Sequence, residues 1–148
     1  PATAKGVISM LRYYKVPIAG AHVVVVGRSL LAGKSIAVAL LNQDATITVT
    51  HTKTIDLPSI TKTADILIAA AGVPGLVTPS HVAPHQTVID VGITVAEDGK
   101  KLTGDVDYKR VAPIVRAISP VPGGVGPMTV ASLFENLILA AERQYPQQ

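Results

Sequence analysis

The chain has no cysteine and no tryptophan, one phenylalanine and four tyrosines. The missing cysteines exclude a disulfide framework and any thiolate metal site. They also fit a reducing compartment, so the cytoplasm is the expected location. Aromatics make up 3% of residues, and Lys and Arg are scattered without a basic run. The formal charge of +3 therefore lacks the interleaved rings and cations of a nucleic-acid surface. No apolar run approaches the ~20 residues of a membrane span, and no signal peptide opens the chain, so neither membrane nor secretion is expected. His22, His51, His81 and His85 form no pair at the spacing of a helical metal site, and no metal centre is expected. No serine sits in a nucleophile elbow. The first residue is Pro, which reads as a piece of something longer or a processed chain.

What is present is apolar and aliphatic. Hydrophobic residues reach 48% of 148, enough for one core, and their Val, Ile, Leu and Ala bias favours α/β layers. The organising stretch is His22-Val-Val-Val-Val-Gly-Arg-Ser-Leu-Leu-Ala-Gly-Lys-Ser-Ile-Ala-Val-Ala-Leu-Leu41. Four β-branched residues predict a strand buried on both faces, as in parallel sheets. Ile36, Ala37, Leu40 and Leu41 then recur at helical spacing. Between them, Gly27 and Gly33 allow a sharp reversal and close approach to a ligand, at the start of a helix whose N–H groups favour phosphate. Two fingerprints compete for this turn. A Walker A loop places four residues between its first Gly and Gly-Lys-Ser, whereas Gly27 and Gly33 enclose five. The dinucleotide pattern G-x-G-x-x-G lacks its second Gly here. What stands is G-x-S-x-x-x-G, and a tight structural connection is the bland alternative.

Along the chain, Thr3 is expected to cap a helix over residues 3–15 with Val7, Ile8, Leu11 and Tyr14 on one face. Residues 45–50 alternate and read as a second strand ending at His51-Thr-Lys-Thr54. Dinucleotide folds place an acid at such an end to take the ribose hydroxyls of NAD. Hydroxyls and a cation stand there instead, which suits a 2′-phosphate, and the Arg28 guanidinium can reach the same group. A short helix at residues 57–63 precedes a buried strand at 65–71, then a turn through Gly72 and Gly75 and a further crossover. A fourth strand at 87–93 carries Gly92. Strand ends bearing Gly27, Gly72 and Gly92 can line one crevice, where open α/β sheets bind ligands. Residues 97–100 read as a turn, Asp105 and Asp107 as helix caps before a short helix at 108–111. Asp90, inside an apolar run, reads as structural rather than catalytic, and His51 as a neighbour of an adenosine. Ala117 and Ile118 close the sheet. Pro120-Val-Pro-Gly-Gly-Val-Gly-Pro-Met-Thr129 is stiff and able to lay bare backbone on a flat ligand. Pro127 suits the start of the last helix. That helix is apolar on two sides (Val130, Leu133, Phe134, Leu137, Ile138), which predicts two neighbours. The expected fold is a doubly wound, mostly parallel, Rossmann-like sheet with helices on both faces, spanning residues 1–148.

Four segments together resemble the nucleotide-binding domain of the bifunctional methylenetetrahydrofolate dehydrogenase/cyclohydrolase family: Pro1-Ala-Thr-x-x-Gly6, Val25-Val-Gly-Arg-Ser29 with Gly33, Val88-Ile-Asp-Val-Gly-Ile93, and Pro120 through Thr129. The likeness covers essentially the whole chain but only the C-terminal half of a typical member. Ala2, Ala32 and Ser35 depart from the family's usual Cys, Val and Pro. The resemblance implies oxidation of 5,10-methylenetetrahydrofolate to the methenyl form by hydride transfer to NADP, then hydrolysis to 10-formyltetrahydrofolate. It implies that Gly27, Arg28, Ser29, Thr52 and Ile93 contact NADP, that Pro120, Val121, Pro122, Gly123 and Gly124 line the folate side, and that the parent is a homodimer. The family's catalytic Lys lies in a Tyr-x-x-x-Lys motif of the N-terminal lobe. Four residues after Tyr13, Tyr14 and Tyr108 stand Pro17, Ile18 and Ala112, so no catalytic residue is expected in this chain. The other readings are a P-loop ATP-binding phosphotransferase and a non-catalytic nucleotide-binding module.

Overall fold

The structure is a computed structural model and describes residues 1–95 and 102–144. Five parallel strands form the main sheet: β1 (His22–Val26), β2 (Thr46–Thr50), β3 (Ile66–Ala69), β4 (Thr87–Asp90) and β7 (Ala117–Ile118), in the order β2-β1-β3-β4-β7. Two short antiparallel strands, β5 (Thr94–Val95) and β6 (Leu102–Thr103), form a separate ladder. The helices are α1 (Ala2–Tyr13), α2 (Ser35–Leu41), α3 (Leu57–Thr61), α4 (Tyr108–Val111) and α5 (Val125–Gln144). The doubly wound expectation holds. The strand order reverses between β1 and β3, which are paired Val23↔Ile66 through Val26↔Ala69. All strand exits share one edge, and ligands of open α/β sheets bind at such a reversal.

The run of valines in β1 serves both faces at once. Val23 and Val25 pack into one layer with Ile36, Leu40 and Leu11 from α2 and α1. Val24 and Val26 point the other way, toward Val77, Val82 and Val111. All four are at most 3% exposed, and each full burial contributes about 1.5–3 kcal/mol before entropy is charged. This is why the strand reads as continuous rather than alternating.

Several boundaries differ from expectation. Thr3 does not cap α1; Pro1 occupies the N-cap position, and Thr3 sits inside the first turn, accepting a 3.5 Å bond from the Thr129 hydroxyl. The helix ends at Tyr13 rather than 15 because Lys15 turns to φ 54°, which leaves Tyr14 exposed while Ala4 and Met10 join the buried face. Strand β4 stops at Asp90, where the carboxylate takes the Gly92 amide at 2.9 Å and bends the chain out of the ladder. The crossover between β3 and β4 holds only a 3-10 turn, Pro79–His81, closed by reciprocal Thr78 and His81 bonds. The turn expected at 97–100 lies outside the described residues.

Helix α5 packs along α1, whose Gly6 lets the backbones meet: a Cβ there would stand 3.0 Å from the Met128 carbonyl. Lys5 Nζ reaches Glu135 Oε2 at 2.8 Å across the pair. The second neighbour expected for α5 is not supplied by the described residues. Val130, Leu133, Phe134, Leu137 and Ile138 are 55–65% exposed. Among the described residues no helix is long and apolar enough to cross a membrane.

Candidate functional site

The turn after β1 is built by backbone stacked on backbone. Gly27 adopts φ +113°, and a Cβ on it would lie 2.1 Å from the Ala70 carbonyl oxygen at the exit of β3. A Cβ on Gly33 would lie 2.1 Å from the Gly27 carbonyl oxygen. The spacing of the two glycines is thus dictated by a close pile of β3 exit, turn and helix start. The extra residue relative to a Walker A loop is taken up in a π-helical turn, Leu30–Lys34, ahead of α2. Ser29 caps that turn, its side chain accepting from Gly33 N at 3.5 Å. The Ser35 hydroxyl donates inward to the carbonyls of Leu31 at 2.8 Å and Ala32 at 3.0 Å. Its proton is therefore engaged within its own helix.

Register sets the second strand end beside the first. Val26 pairs with Thr50 and Gly27 N donates to Thr50 O at 3.0 Å, so Arg28 and Thr52 leave the sheet level with one another. Arg28, Ser29, Thr52 and Lys53 are all exposed. His51 is half-buried, with Nδ1 accepting from Lys53 N at 3.1 Å. The one acid on this loop, Asp56, caps α3 through the amide and hydroxyl of Ser59 at 3.3 and 2.5 Å. Those bonds, the hydroxyl's first, hold its carboxyl below the ordinary carboxylate range. The mouth beside Arg28 is therefore cationic and hydroxylic, with its acid engaged elsewhere.

A second group of predicted residues gathers at the exits of β4 and β7. Ile93, 58% exposed, borders a cavity of about 160 Å³ together with Asp90, Pro120, Val121, Pro122, Gly123 and Gly124. The Val121–Pro122 bond is cis, and Gly123 sits at φ +97°. The expected cofactor residue Ile93 and the expected folate-side loop thus share one hollow, on the same sheet edge as Gly27 and Arg28. A larger cavity of about 510 Å³ follows the outer side of β7 from Lys15 and Arg116 to Pro120 and Gly124. It runs down the flank of the sheet from the strand starts and shares Pro120, Gly123 and Gly124 with the smaller hollow.

Between the two groups lie the buried carboxylates of Asp90 and Asp105, the second of which reads in the sequence as a helix cap. Asp90 is structural, as expected: its carboxylate accepts from Gly92 N at 2.9 Å, Asp105 N at 3.0 Å and Val106 N at 3.0 Å. Its own amide donates to Ser119 Oγ at 2.8 Å, which fixes the start of the proline-glycine loop. Burial, against the pull of those amides, raises its carboxyl above the ordinary range. Asp105 is not a helix cap. It is wholly buried, and its Oδ2 accepts from Ala71 N at 2.6 Å and Gly72 N at 2.8 Å. Asp107 occupies the N-cap position of α4 without a side-chain cap bond, its carboxylate facing Arg110 at 3.4 Å. No local pattern distinguished Asp105 from Asp107; the partner that decides is 34 residues away along the chain.

The other three histidines are tied to backbone and hydroxyl groups away from the mouth. His22 bonds Thr63 O and Thr48 Oγ1 at 3.1 and 2.9 Å, His85 bonds Ala64 O at 3.1 Å, and His81 closes the Thr78 turn. Among the described residues no three potential metal ligands come together.

Comparison with known proteins gives this geometry a context. The family described as the tetrahydrofolate dehydrogenase/cyclohydrolase NAD(P)-binding domain matches residues 1–145. A bifunctional protein FolD of Lysinibacillus sphaericus is 51% identical over 144 residues, which are 97% of this chain and 50% of that protein. The bifunctional FolD dehydrogenase/cyclohydrolase from Campylobacter jejuni superposes with a TM-score of 0.93 at 42% identity, covering 97% of this chain and 51% of that one. The Trypanosoma brucei dehydrogenase-cyclohydrolase, solved with NADP cofactor and an inhibitor, gives a TM-score of 0.93 at 41% identity over 99% of this chain and 52% of its own. The chain spans about half the length of the curated relatives it matches.

Proposed function

Since the chain belongs to the tetrahydrofolate dehydrogenase/cyclohydrolase family, as its NAD(P)-binding domain, we propose that it is the NADP-holding half of an enzyme that oxidises 5,10-methylenetetrahydrofolate to the methenyl form and hydrolyses that product to 10-formyltetrahydrofolate. The observation that carries the choice of NADP is the mouth formed by Arg28 and Thr52, level in the β1–β2 register, where an NAD site places a free acid. The residues present fit a dinucleotide: Gly27 and Gly33 let the turn pile tightly between the exit of β3 and the helix start, and Ser29 opens the helix there. NADP supplies the hydride acceptor when bound. This chain's own residues bind and orient. Arg28 and Thr52 take the 2′-phosphate, the turn at Gly27 takes the pyrophosphate, and Ile93 with residues 120–124 forms one wall for the nicotinamide and the folate. A second lobe carrying the family's Tyr-x-x-x-Lys lysine and a homodimeric parent fit the uncovered face of α5, and a cytoplasmic location completes the reading. Because hydride transfer depends on holding both reactants in place, the chain alone binds nucleotide without turnover.

Calorimetric titration of NADP, NAD and Mg-ATP into the unmodified chain and Arg28→Ala tests this. NADP is expected to bind more tightly than NAD, and the variant to lose most of the difference, because a charge-assisted phosphate contact contributes about 1.5–3 kcal/mol. Equal affinity for NADP and NAD in the unmodified chain refutes the cofactor choice, and Mg-dependent ATP binding would favour the phosphotransferase instead.

A further inference from the structure

We propose that Asp105 is the built-in anion of a backbone nest at the exit of β3 and, resting on the NADP reading above, a positioning residue for the dinucleotide. Two successive amides, Ala71 N and Gly72 N, converge on a single oxygen of its carboxylate at 2.6 and 2.8 Å, and Gly72 adopts φ +69°. Successive N–H groups in a turn form a concavity that binds anions, and at strand exits of α/β sheets such concavities commonly face ligand phosphates. Here the protein fills the concavity itself. The carboxylate is wholly buried, and its second oxygen, Oδ1, has no hydrogen-bond partner among the described residues. An unpaired buried carboxylate oxygen is costly, and the two amide bonds to Oδ2 offset that cost.

The grip reaches the cofactor mouth through backbone. Ala71 follows Ala70, whose carbonyl oxygen is the surface against which Gly27 is packed. On its other side the Asp105 amide donates to Asp90 at 3.0 Å, and the Asp90 amide in turn to Ser119 at 2.8 Å. One side chain thus fixes the separation between the pyrophosphate turn and the loop that begins at Ser119. A dinucleotide has to span that separation.

The test follows the Ala71 and Gly72 amides by NMR and NADP affinity by calorimetry in the unmodified chain, Asp105→Ala and Asp105→Asn. Asp105→Ala is expected to move both amide protons upfield and to weaken NADP binding about tenfold. Excess sodium formate, which can enter the vacated nest, should return both amides toward their original shifts and recover part of the affinity, beyond what sodium chloride does at equal ionic strength. Asp105→Asn keeps a neutral acceptor oxygen at the nest and should lose less affinity. A folded Asp105→Ala with unchanged NADP affinity, or one in which formate does no more than chloride, overturns the proposal. If Asp105→Ala does not fold, Asp105→Asn decides, and unshifted Ala71 and Gly72 amides overturn it. Failure of the unmodified chain to bind NADP would defeat the functional reading alone, leaving the formate response of the two amides to decide the nest.

Discussion

Replacing Gly33 by Ala sets two effects of opposite sign against each other. In a helix interior, Ala in place of Gly gains about 1 kcal/mol, and Gly33 does lie in a helical turn, without a left-handed φ. The new Cβ would stand 2.1 Å from Gly27 O, 2.6 Å from Gly27 C and 3.0 Å from Arg28 N. Real Cβ atoms essentially never come closer than 3.0 Å, so the first contact is short by 0.9 Å (3.0 − 2.1). The obstacle is backbone, pinned from behind because Gly27 itself rests on Ala70, so it cannot swing aside as a flexible side chain would. Overpacking of this kind costs about 1–3 kcal/mol, and the rigidity of the obstacle puts Gly33→Ala at the upper end. The net loss is about 1–2 kcal/mol, a fall in Tm of about 2–8 °C for a chain of this size. The displaced atoms are also those proposed to meet the pyrophosphate, so NADP affinity should fall about tenfold or more. Scanning calorimetry with and without NADP reads both. A variant with an equal or higher Tm and unchanged affinity would refute the argument that backbone contact, not helix propensity, governs this glycine.

Two other perturbations have definite signs. Burial, and then the nearby Lys62 charge, hold His81 below its ordinary value of 6.5, so the folded state binds fewer protons than the unfolded chain. The contribution is complete above about 6.5 and is lost as pH falls through that value toward the folded one; Tm should drop between pH 7.5 and 5.5, and by less in His81→Gln. On α5, Leu137 is 65% exposed, so Leu137→Lys should change stability by no more than about 0.5 kcal/mol while raising solubility. A marked loss of stability would mean that this face is already covered in the isolated chain.

Much of this was legible in the sequence because it is local. The valine run announced β1, and the glycines at 27, 72 and 92 marked the strand exits that do meet along one edge. The Gly104-Asp-Val-Asp107 turn also marked the start of α4, which runs over residues 108–111. What escaped were contacts across long separations. Nothing near Gly33 shows that its neighbour is Gly27's carbonyl, and Asp105 reads as a cap until the amides of Ala71 and Gly72 are found on it. The β5–β6 ladder was missed because two-residue strands carry no periodicity. Tyr14 was assigned to a buried face because its spacing continues the helix, whereas the positive φ of Lys15 ends that helix first.

The reversal of strand order between β1 and β3 also has a consequence in time. Strand β2 follows β1 and can zip onto it early, but the pairing of Val23 with Ile66 closes a separation of 43 residues (66 − 23). Such non-local pairing is slow, because loop-closure entropy is lost before the contact repays it. The crevice has no second wall until that pairing is made. A chain that has formed only its first two strands holds Arg28 and Thr52 side by side but lacks the Ala70 backbone on which Gly27 is packed. A nucleotide held on the finished sheet slows the step in which β3 leaves β1.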